Sequence, residues 1–137
     1  MARRKTRSVG RSDAEAYLAK ADQFLSTMER AIEARQWDSA GLQAVHSVIS
    51  ASDALLAFYG GVRSAEPDHR EVAGLLQDIL GKEAAAAIRH VGRVIAKKNV
   101  VEYEQRRLTE KEAREMAEHA WRFLKWANRM LPKAKSS

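Results

Sequence analysis

Apolar residues recur along most of this chain at alternating steps of three and four, and this spacing limits the possible folds more than any other feature. The clearest case is the run Leu18, Ala21, Leu25, Met28 and Ile32. Such a spacing places all five side chains on one narrow face of a helix, as in helices that pack nearly parallel to their neighbours. No segment shows the strict alternation of apolar and polar residues that indicates a half-buried strand. The sequence therefore predicts an all-α protein.

Capping signals and helix breakers divide the pattern into four long helices and one short one. Ser12–Glu15 and Thr109–Glu112 each fit a capping box, in which the first and fourth residues satisfy backbone N–H groups at a helix start. Asp38 is the expected cap of the second helix, and glycines end the second and third. The predicted helices run from Ser12 to between Ala34 and Gln36, from Asp38 to about Tyr59, from about Asp68 to Leu80, from about Lys82 to Tyr103, and from Thr109 to Leu131.

Short connections between these helices predict an antiparallel four-helix-type bundle with one additional short helix. The stretch Val62–Pro67 is expected to be a loop. Small residues dominate the second helix, so it can approach other helices closely and is expected in the middle of the bundle. The expected domain organisation is a basic flexible tail at residues 1–11, a single bundle domain at 12–131 and a second flexible tail at 132–137.

The composition excludes several classes of site. The chain has no cysteine, which rules out a disulfide framework, a thiolate nucleophile and a cysteine zinc site. Its four histidines show neither close spacing nor the repeated Glu-x-x-His pattern of a di-metal bundle, so we expect no metal and no cofactor. No run approaches the roughly 18 apolar residues needed to cross a bilayer, and the basic N-terminus lacks the apolar stretch of a signal peptide. The expected location is cytoplasmic, without contact to a membrane.

The net charge of +6 is a property of the ends of the chain. Five basic residues precede Ser12 with no acidic residue among them, and two lysines follow the last helix. The body from Ser12 to Leu131 holds 17 basic and 18 acidic residues, a formal charge of −1. A basic tail can bind phosphates without sequence preference, so a nucleic-acid-binding tail and a disordered solubilising end are both open hypotheses. The residues of the hypothetical nucleic-acid-binding tail are Arg3, Arg4, Lys5 and Arg7.

A polar cluster interrupts the apolar stripe of the fourth predicted helix. The stripe reaches Ile95, and its next steps fall on Lys98, Asn99 and Glu102. Residues four apart on a helix are neighbours, so Lys98 is expected to meet Glu102 and Asn99 to meet Tyr103. Polar groups on a helix seam need partners, and these largely supply one another. Two interpretations stay open: a ligand or nucleotide site, and a polar helix end or buried network that fixes the register of a dimer.

The order of features from Trp37 to Leu131 resembles the HEPN superfamily of small helical-bundle proteins. The matching segments are Ala44–Leu56, Gly60, a loop leading into His69, Leu75–Leu76, Lys98–Asn99 with Tyr103 four residues after the Asn, and the Thr109 capping box followed by Ala113, Ala117, Ala120 and Phe123. The resemblance implies the same helical bundle that the apolar spacing predicts, and a homodimer.

Active members of this superfamily are typically metal-independent ribonucleases whose motif resembles Arg-x4–6-His, often with Asn after the Arg, and is assembled from two protomers. By resemblance the Arg falls on Lys98, the Asn on Asn99 and the His on Tyr103. Lys can hold a phosphate but not bidentately, and Tyr is a poorer acid–base group than an imidazole near neutral pH. The tyrosine that some toxin members carry two residues after the His is Gln105 here. Ribonuclease activity of the usual kind is therefore not expected.

These observations lead to three hypotheses of function. The first is a non-catalytic HEPN-like protein that binds a nucleotide, an RNA or a protein partner through a polar groove near the end of the fourth helix. The resemblance implies that such a protein works beside a nucleotidyltransferase-type partner or in a bacterial toxin–antitoxin system. The second is a ribonuclease toxin with a divergent site, and the third is a structural dimer or partner-docking module. The candidate ligand-binding residues are Lys98, Asn99, Glu102, Tyr103 and His69.

Several further residues attract attention less strongly. His90 and His119 lie among charged residues and are expected to face solvent. The spacing of the ribonuclease motif recurs from Arg63 to His69 and from Arg114 to His119. With 15 arginines and four histidines about one such match arises by chance, and both are discounted. Trp121 and Trp126 flank the apolar stripe of the last helix, which indicates that another surface, such as a second subunit, covers that face.

Overall fold

The computed structural model describes residues 6–65 and 71–132 of the chain. Most of this part is α-helical, which confirms the predicted all-α class. Two short strands, β1 (Thr6–Ser8) and β2 (Val62–Ser64), pair antiparallel. None of the described helices is both long and apolar enough to cross a lipid bilayer. The helices are α1 (Asp13–Glu33), α2 (Trp37–Gly60), α3 (Val72–Leu80), α4 (Ala85–Ile95), α5 (Lys98–Tyr103) and α6 (Glu110–Met130), with a 3₁₀ turn at Lys82–Ala84.

Contacts near the helix ends show how the four long helices run. The residue two positions beyond α1 and the residue two positions beyond α4 both contact the first turn of α6, so α1 and α4 are antiparallel to α6. The end of α2 contacts the end of α6, so these two run in the same direction. This alternation is that of an antiparallel four-helix bundle, with α3 as the additional short helix. The contacts are Arg35–Glu110, Lys97–Glu112 and Tyr59–Met130.

Helix α2 lies at the centre of the bundle, as predicted. Every residue from Ala51 to Ala57 is buried, so no face of α2 meets solvent over nearly two turns. Four of these seven residues are Ala or Ser. Their short side chains allow α1, α4 and α6 to approach α2 closely. The bulk of the core comes from larger buried side chains, among them Met28, Leu55, Leu56, Leu76, Phe123 and Leu124.

Only one of the two predicted capping boxes forms. At α6 the Glu112 N–H donates to the Thr109 hydroxyl at 3.1 Å, and the Thr109 N–H donates to the Glu112 carboxylate at 3.0 Å. At α1, Ser12 has φ −65° and ψ −20°, a helical geometry in which its side chain makes no cap. The Gly10 N–H donates instead to the Asp13 carboxylate at 2.9 Å. The capping box predicted at Ser12 is therefore wrong.

The chain after α2 is a strand where a loop was predicted. Gly61, with φ +63°, ends α2 and leads directly into β2, so the expectation of a loop over Val62–Pro67 is wrong for its first three residues. Strands of three residues are too short to show an alternating pattern, which is why the sequence gives no sign of them. Strand β1 lies within the segment predicted as a tail at residues 1–11. The tail boundaries stay predictions, since residues 1–5 and 133–137 lie outside the described residues.

The predicted fourth helix is in fact two helices. Helix α4 ends at Ile95, and the Lys97 N–H donates to the carbonyl of Val94, three residues back instead of four. Lys97 itself has φ −98° and ψ 0°, outside the α-helical region, and α5 begins at the next residue. The polar positions of α5 therefore do not continue the apolar stripe of α4. Its own apolar face is Val100–Val101, which packs against the core.

Asp53 is the only ionisable residue among the buried residues of the described chain, at 8% exposed. Burial raises the pKa of Asp53 to about 6, and the positive charge of Arg63 offsets this only in part. A carboxylate removed from water without full compensation favours its protonated form. The centre of the bundle therefore contains a group whose ionisation opposes folding.

We predict that an Asp53→Asn variant gains stability over the wild type as the pH rises. The pKa of Asp53 is about 6 in the fold against 3.8 as the ordinary value, so the wild type acquires a destabilising charge between these limits. Its free energy of unfolding should fall by about 2–3 kcal/mol relative to the neutral Asn variant. Urea unfolding should show almost no difference near pH 3, below the ordinary pKa, and the full difference above pH 7. The exposed control Glu29→Gln should show no such trend, and a pH-independent gain for Asp53→Asn would contradict the prediction.

Candidate functional site

The candidate site predicted from the sequence is the polar face of α5. Its apolar face, Val100 and Val101, packs against the core and fixes the helix on the bundle. Gly41 of α2 allows the close approach, because a Cβ there would clash with Leu108 Cδ1 and lie 3.2 Å from Val101 Cγ2. We call the outward-facing polar residues of this helix the α5 surface: Lys98, Asn99, Glu102 and Tyr103.

Lys98 and Glu102 form the ion pair that their spacing predicts. The Lys98 Nζ lies 2.7 Å from Glu102 Oε2, and the two side chains are only 12% and 21% exposed. The same ammonium lies 5.3 Å from the centre of the Tyr103 ring, within the range of a cation–π contact. Because Glu102 neutralises Lys98 within the helix, the α5 surface offers little net positive charge.

Asn99 and Tyr103 do not form the predicted pair. No hydrogen bond joins their side chains, and both residues are exposed. Tyr103 is 75% exposed, the most exposed large hydrophobic residue of the described chain. An aromatic ring with a polar tip that projects into solvent is free to contact another molecule. Tyr103 is thus the group of the α5 surface most accessible from outside.

Glu112 fixes the junction between α5 and α6. Arg106 donates to both oxygens of the Glu112 carboxylate, at 2.8 and 2.9 Å, and the Lys97 ammonium lies 3.0 Å from Oε2. The Thr109 N–H of the capping box completes the set. The bonds from Arg106, then from Thr109 and Lys97, hold the pKa of Glu112 far below its usual value. The carboxylate therefore stays ionised and structural over the whole physiological range.

Asp38 ties the same junction to α2. Its carboxylate accepts the Leu108 N–H at 2.8 Å and Arg107 Nε at 2.9 Å. The bond from Leu108, then the Arg107 guanidinium, lowers the pKa of Asp38. The prediction that Asp38 caps the second helix is wrong, because α2 begins at Trp37 with Gln36 as its N-cap. Asp38 satisfies a backbone group seventy residues away instead of one in its own helix.

The other candidate residues are not brought to the α5 surface by anything that the structure describes. His69, Arg3, Arg4 and Lys5 lie outside the described residues. Arg7 lies on β1, where it is exposed opposite Arg63 of β2. The roles predicted for His69 and for the basic tail therefore stay predictions.

A second polar cluster, which the sequence analysis missed, lies between α4 and α6. The Nδ1 atoms of His90 and His119 are 2.9 Å apart, so one donates to the other. Both residues are partly buried, and the expectation that they face solvent is wrong. Burial, then the charges of neighbouring residues, lowers the pKa of His90. Within residues 6–65 and 71–132 no group of three or more possible ligands is arranged to hold a metal ion.

The Arg114-to-His119 match to the ribonuclease spacing does not form a joint site. Arg114 Nε donates to Glu110 at 2.8 Å, and its guanidinium lies 5.2 Å from the Trp37 ring at the start of α2. His119 faces α4, where it contacts His90. Because the two side chains point to different neighbours of α6, they cannot act together on one phosphate, which agrees with a match by chance.

We predict that Thr109→Ala lowers the free energy of unfolding by about 1 kcal/mol, since it removes the N-cap of α6. Glu112→Gln removes the charge shared by Arg106 and Lys97 and should cost at least as much. The double variant should cost less than the sum, because both changes break the same capping box. Urea unfolding measures these values. The exposed control Glu115→Gln should stay within about 0.5 kcal/mol of wild type, and a Thr109→Ala loss no larger than this would contradict the prediction.

Comparison with known proteins agrees with the geometry described above. A family model with the description HEPN domain matches residues 14–130, which span all six helices of the bundle. No curated protein and no solved structure matches the chain. The resemblance inferred from its residues is thereby confirmed, and the chain belongs to the HEPN domain family.

Proposed function

We propose that this protein is a non-catalytic HEPN domain that binds a protein partner through the α5 surface. The observation that carries the proposal is the projection of Tyr103, 75% exposed, from a helix that is itself held firmly on the bundle. Tyrosines are enriched among the residues that contribute most to protein–protein binding. The exposed Asn99 beside it adds a donor and an acceptor for orientation.

The chemistry of the α5 surface does not favour catalysis. By resemblance Lys98 and Tyr103 occupy the positions of the Arg and His of the ribonuclease motif. Lys98 is already bound to Glu102, and a lysine lacks the planar fork that holds a phosphate bidentately. A phenol replaces the imidazole that would transfer protons near neutral pH. These two replacements support a binding role in place of a ribonuclease role.

The charge of this surface favours a protein over a nucleotide or an RNA. The α5 surface holds one positive residue, Lys98, and one negative residue, Glu102, so its formal charge sums to zero. A phosphate-bearing ligand would meet no net attraction there, whereas a protein can match charges of both signs. Nucleotide or RNA binding at this surface is the alternative, and the partner that the resemblance implies is of the nucleotidyltransferase type.

The rigidity of the α5–α6 junction supports the same proposal. Glu112 and Asp38 together fix the loop that follows α5 through bonds to Arg106, Thr109, Lys97, Arg107 and Leu108. A surface that is ordered before binding loses little conformational entropy when the partner arrives. We also propose the homodimer that the resemblance implies, which light scattering on the purified protein measures directly.

We predict no RNA cleavage by the purified wild-type protein. The matched variants Lys98→Ala and Tyr103→Phe should be indistinguishable from it when each is incubated with a structured and an unstructured RNA. Cleavage by the wild type that is lost in both variants would overturn the proposal and support a ribonuclease with a divergent site.

We predict that a photo-crosslinking residue at position 103 captures a partner protein in the native host. The same residue at the exposed Arg93 position of α4 is the control and should give no matching product. Mass spectrometry identifies the captured chain. Asn99→Ala should reduce the yield at position 103, because it removes a neighbouring contact without disturbing the Lys98–Glu102 pair. Equal capture at both positions, or capture of RNA alone, would contradict a protein-docking α5 surface.

A further inference from the structure

A groove of about 430 Å³ lies between α1 and α6. Met28, which is 2% exposed, and the partly buried Ile32 line it from α1, and the short side chain of Ala117 leaves open space on the α6 side. Along α6 the lining residues run from Arg114 to Trp121, a length of about 10 Å or two helical turns. The other residues that line this α1–α6 groove are Glu29, Glu33 and Glu118.

Trp121 lies on the rim of the α1–α6 groove and is 42% exposed. An indole exposed to this extent is typical of a surface that another molecule covers. Trp121 also lines a second groove, of about 330 Å³, between α4 and α6. That second groove is lined by the cations Arg122, Lys125 and Arg129, so the indole ring separates two grooves of different character.

The rim of the α1–α6 groove is negatively charged. Glu29 and Glu33 are both exposed and lie four residues apart, which places them on one face of α1. The described part of the chain places no basic group in an ion pair with either of them. Glu118 lies across the groove on α6, where Arg122 pairs with one of its oxygens at 2.7 Å. Two of the three rim carboxylates are therefore open to a ligand.

Arg114, the basic residue of the lining, is engaged elsewhere. Its Nε donates to Glu110 at 2.8 Å, and its guanidinium lies 5.2 Å from the Trp37 ring. Three carboxylates and one guanidinium give the lining a formal charge of −2. The floor of the same groove is apolar, so a ligand that matches it has both cationic and apolar groups.

The arrangement of the carboxylates favours an extended ligand over a single ion. Glu29 and Glu33 are separated by about 6 Å along the axis of α1, and Glu118 lies on the opposite wall. The negative charge therefore follows the groove and does not converge on one point. An amphipathic helix that lays its apolar face into a groove, with cations on its flanks, has this distribution of groups.

We propose that the α1–α6 groove docks a basic amphipathic helix of a partner protein. Apolar side chains of that helix, spaced by three and four residues, fill the space beside Ala117 and contact Trp121. Lysine or arginine side chains on its flanks pair with Glu29 and Glu33. The α1–α6 groove shares no residue with the α5 surface, so either proposal can fail while the other holds.

Fluorescence anisotropy of the full chain tests the proposal with two labelled amphipathic peptides of about four helical turns. The peptides share one pattern of Leu and Ala, and their polar positions carry Lys in one and Glu in the other. We expect saturable binding of the Lys peptide that is weakened at least about fivefold in Glu29→Gln/Glu33→Gln. The control Glu15→Gln/Glu115→Gln removes the same charge from exposed positions of α1 and α6 outside the groove and should change the affinity less than about twofold.

Two further variants separate the apolar from the electrostatic contribution. Trp121→Ala should weaken binding of the Lys peptide by removing the exposed ring. Glu29→Lys/Glu33→Lys should reverse the preference, so that the Glu peptide binds more tightly than the Lys peptide. A general loss of fold stability cannot produce such a reversal.

Three results would overturn the proposal. One is the absence of saturable binding of the Lys peptide by the wild-type protein. Another is an equal loss of affinity in Glu29→Gln/Glu33→Gln and in the control, which would indicate unspecific attraction by surface charge. The third is a fall in molar mass on light scattering of Trp121→Ala, which would show that a second copy of the chain covers the groove.

Discussion

The burial of α2 on every side is the constraint on which the rest of the structure depends. Over Ala51–Ala57 no face of this helix reaches solvent, so the other long helices must close around it. Close approach requires short side chains, and α2 supplies them where helices meet most tightly. The burial of α2 also places Asp53 in an environment where ionisation of its carboxyl group opposes folding. The alternating directions of α1, α2, α4 and α6 then follow from short connections around a central helix.

The junction between α5 and α6 packs against α2 and positions the residues of α5 at the protein surface. Gly41 allows Leu108 and Val101 to approach α2, and Asp38 and Glu112 satisfy the polar groups of the loop that results. Much of the polar sequence around α5 is therefore structural. On α5 itself it leaves Tyr103 and Asn99 exposed, which is why a docking surface accounts for this helix better than a catalytic centre does.

The α5 surface and the groove between α4 and α6 lie near opposite ends of α6 and differ in charge. Near its start the residues of α5 sum to zero formal charge, whereas Arg122, Lys125 and Arg129 concentrate positive charge near its end. Helix α6 holds the two surfaces apart, because its capping box fixes one end and its buried face, including Phe123 and Leu124, fixes the rest.

The sequence by itself determined the local properties of this protein: the helical class, the central place of α2, the capping box at Thr109, the Lys98–Glu102 pair and the family. These depend on residues a few positions apart, whose spacing on a helix is known in advance. Only the tertiary structure decided the break at Lys97, the use of Asp38 as a tie to Leu108, the pairing of His90 with His119 and the groove beside it. The tie of Asp38, the histidine pair and the groove each join segments far apart in the chain. The break at Lys97 depends on which face of the helix packs against the core. Tertiary packing determines such contacts, because the number of residues between two side chains in the sequence does not give the distance between them in the fold.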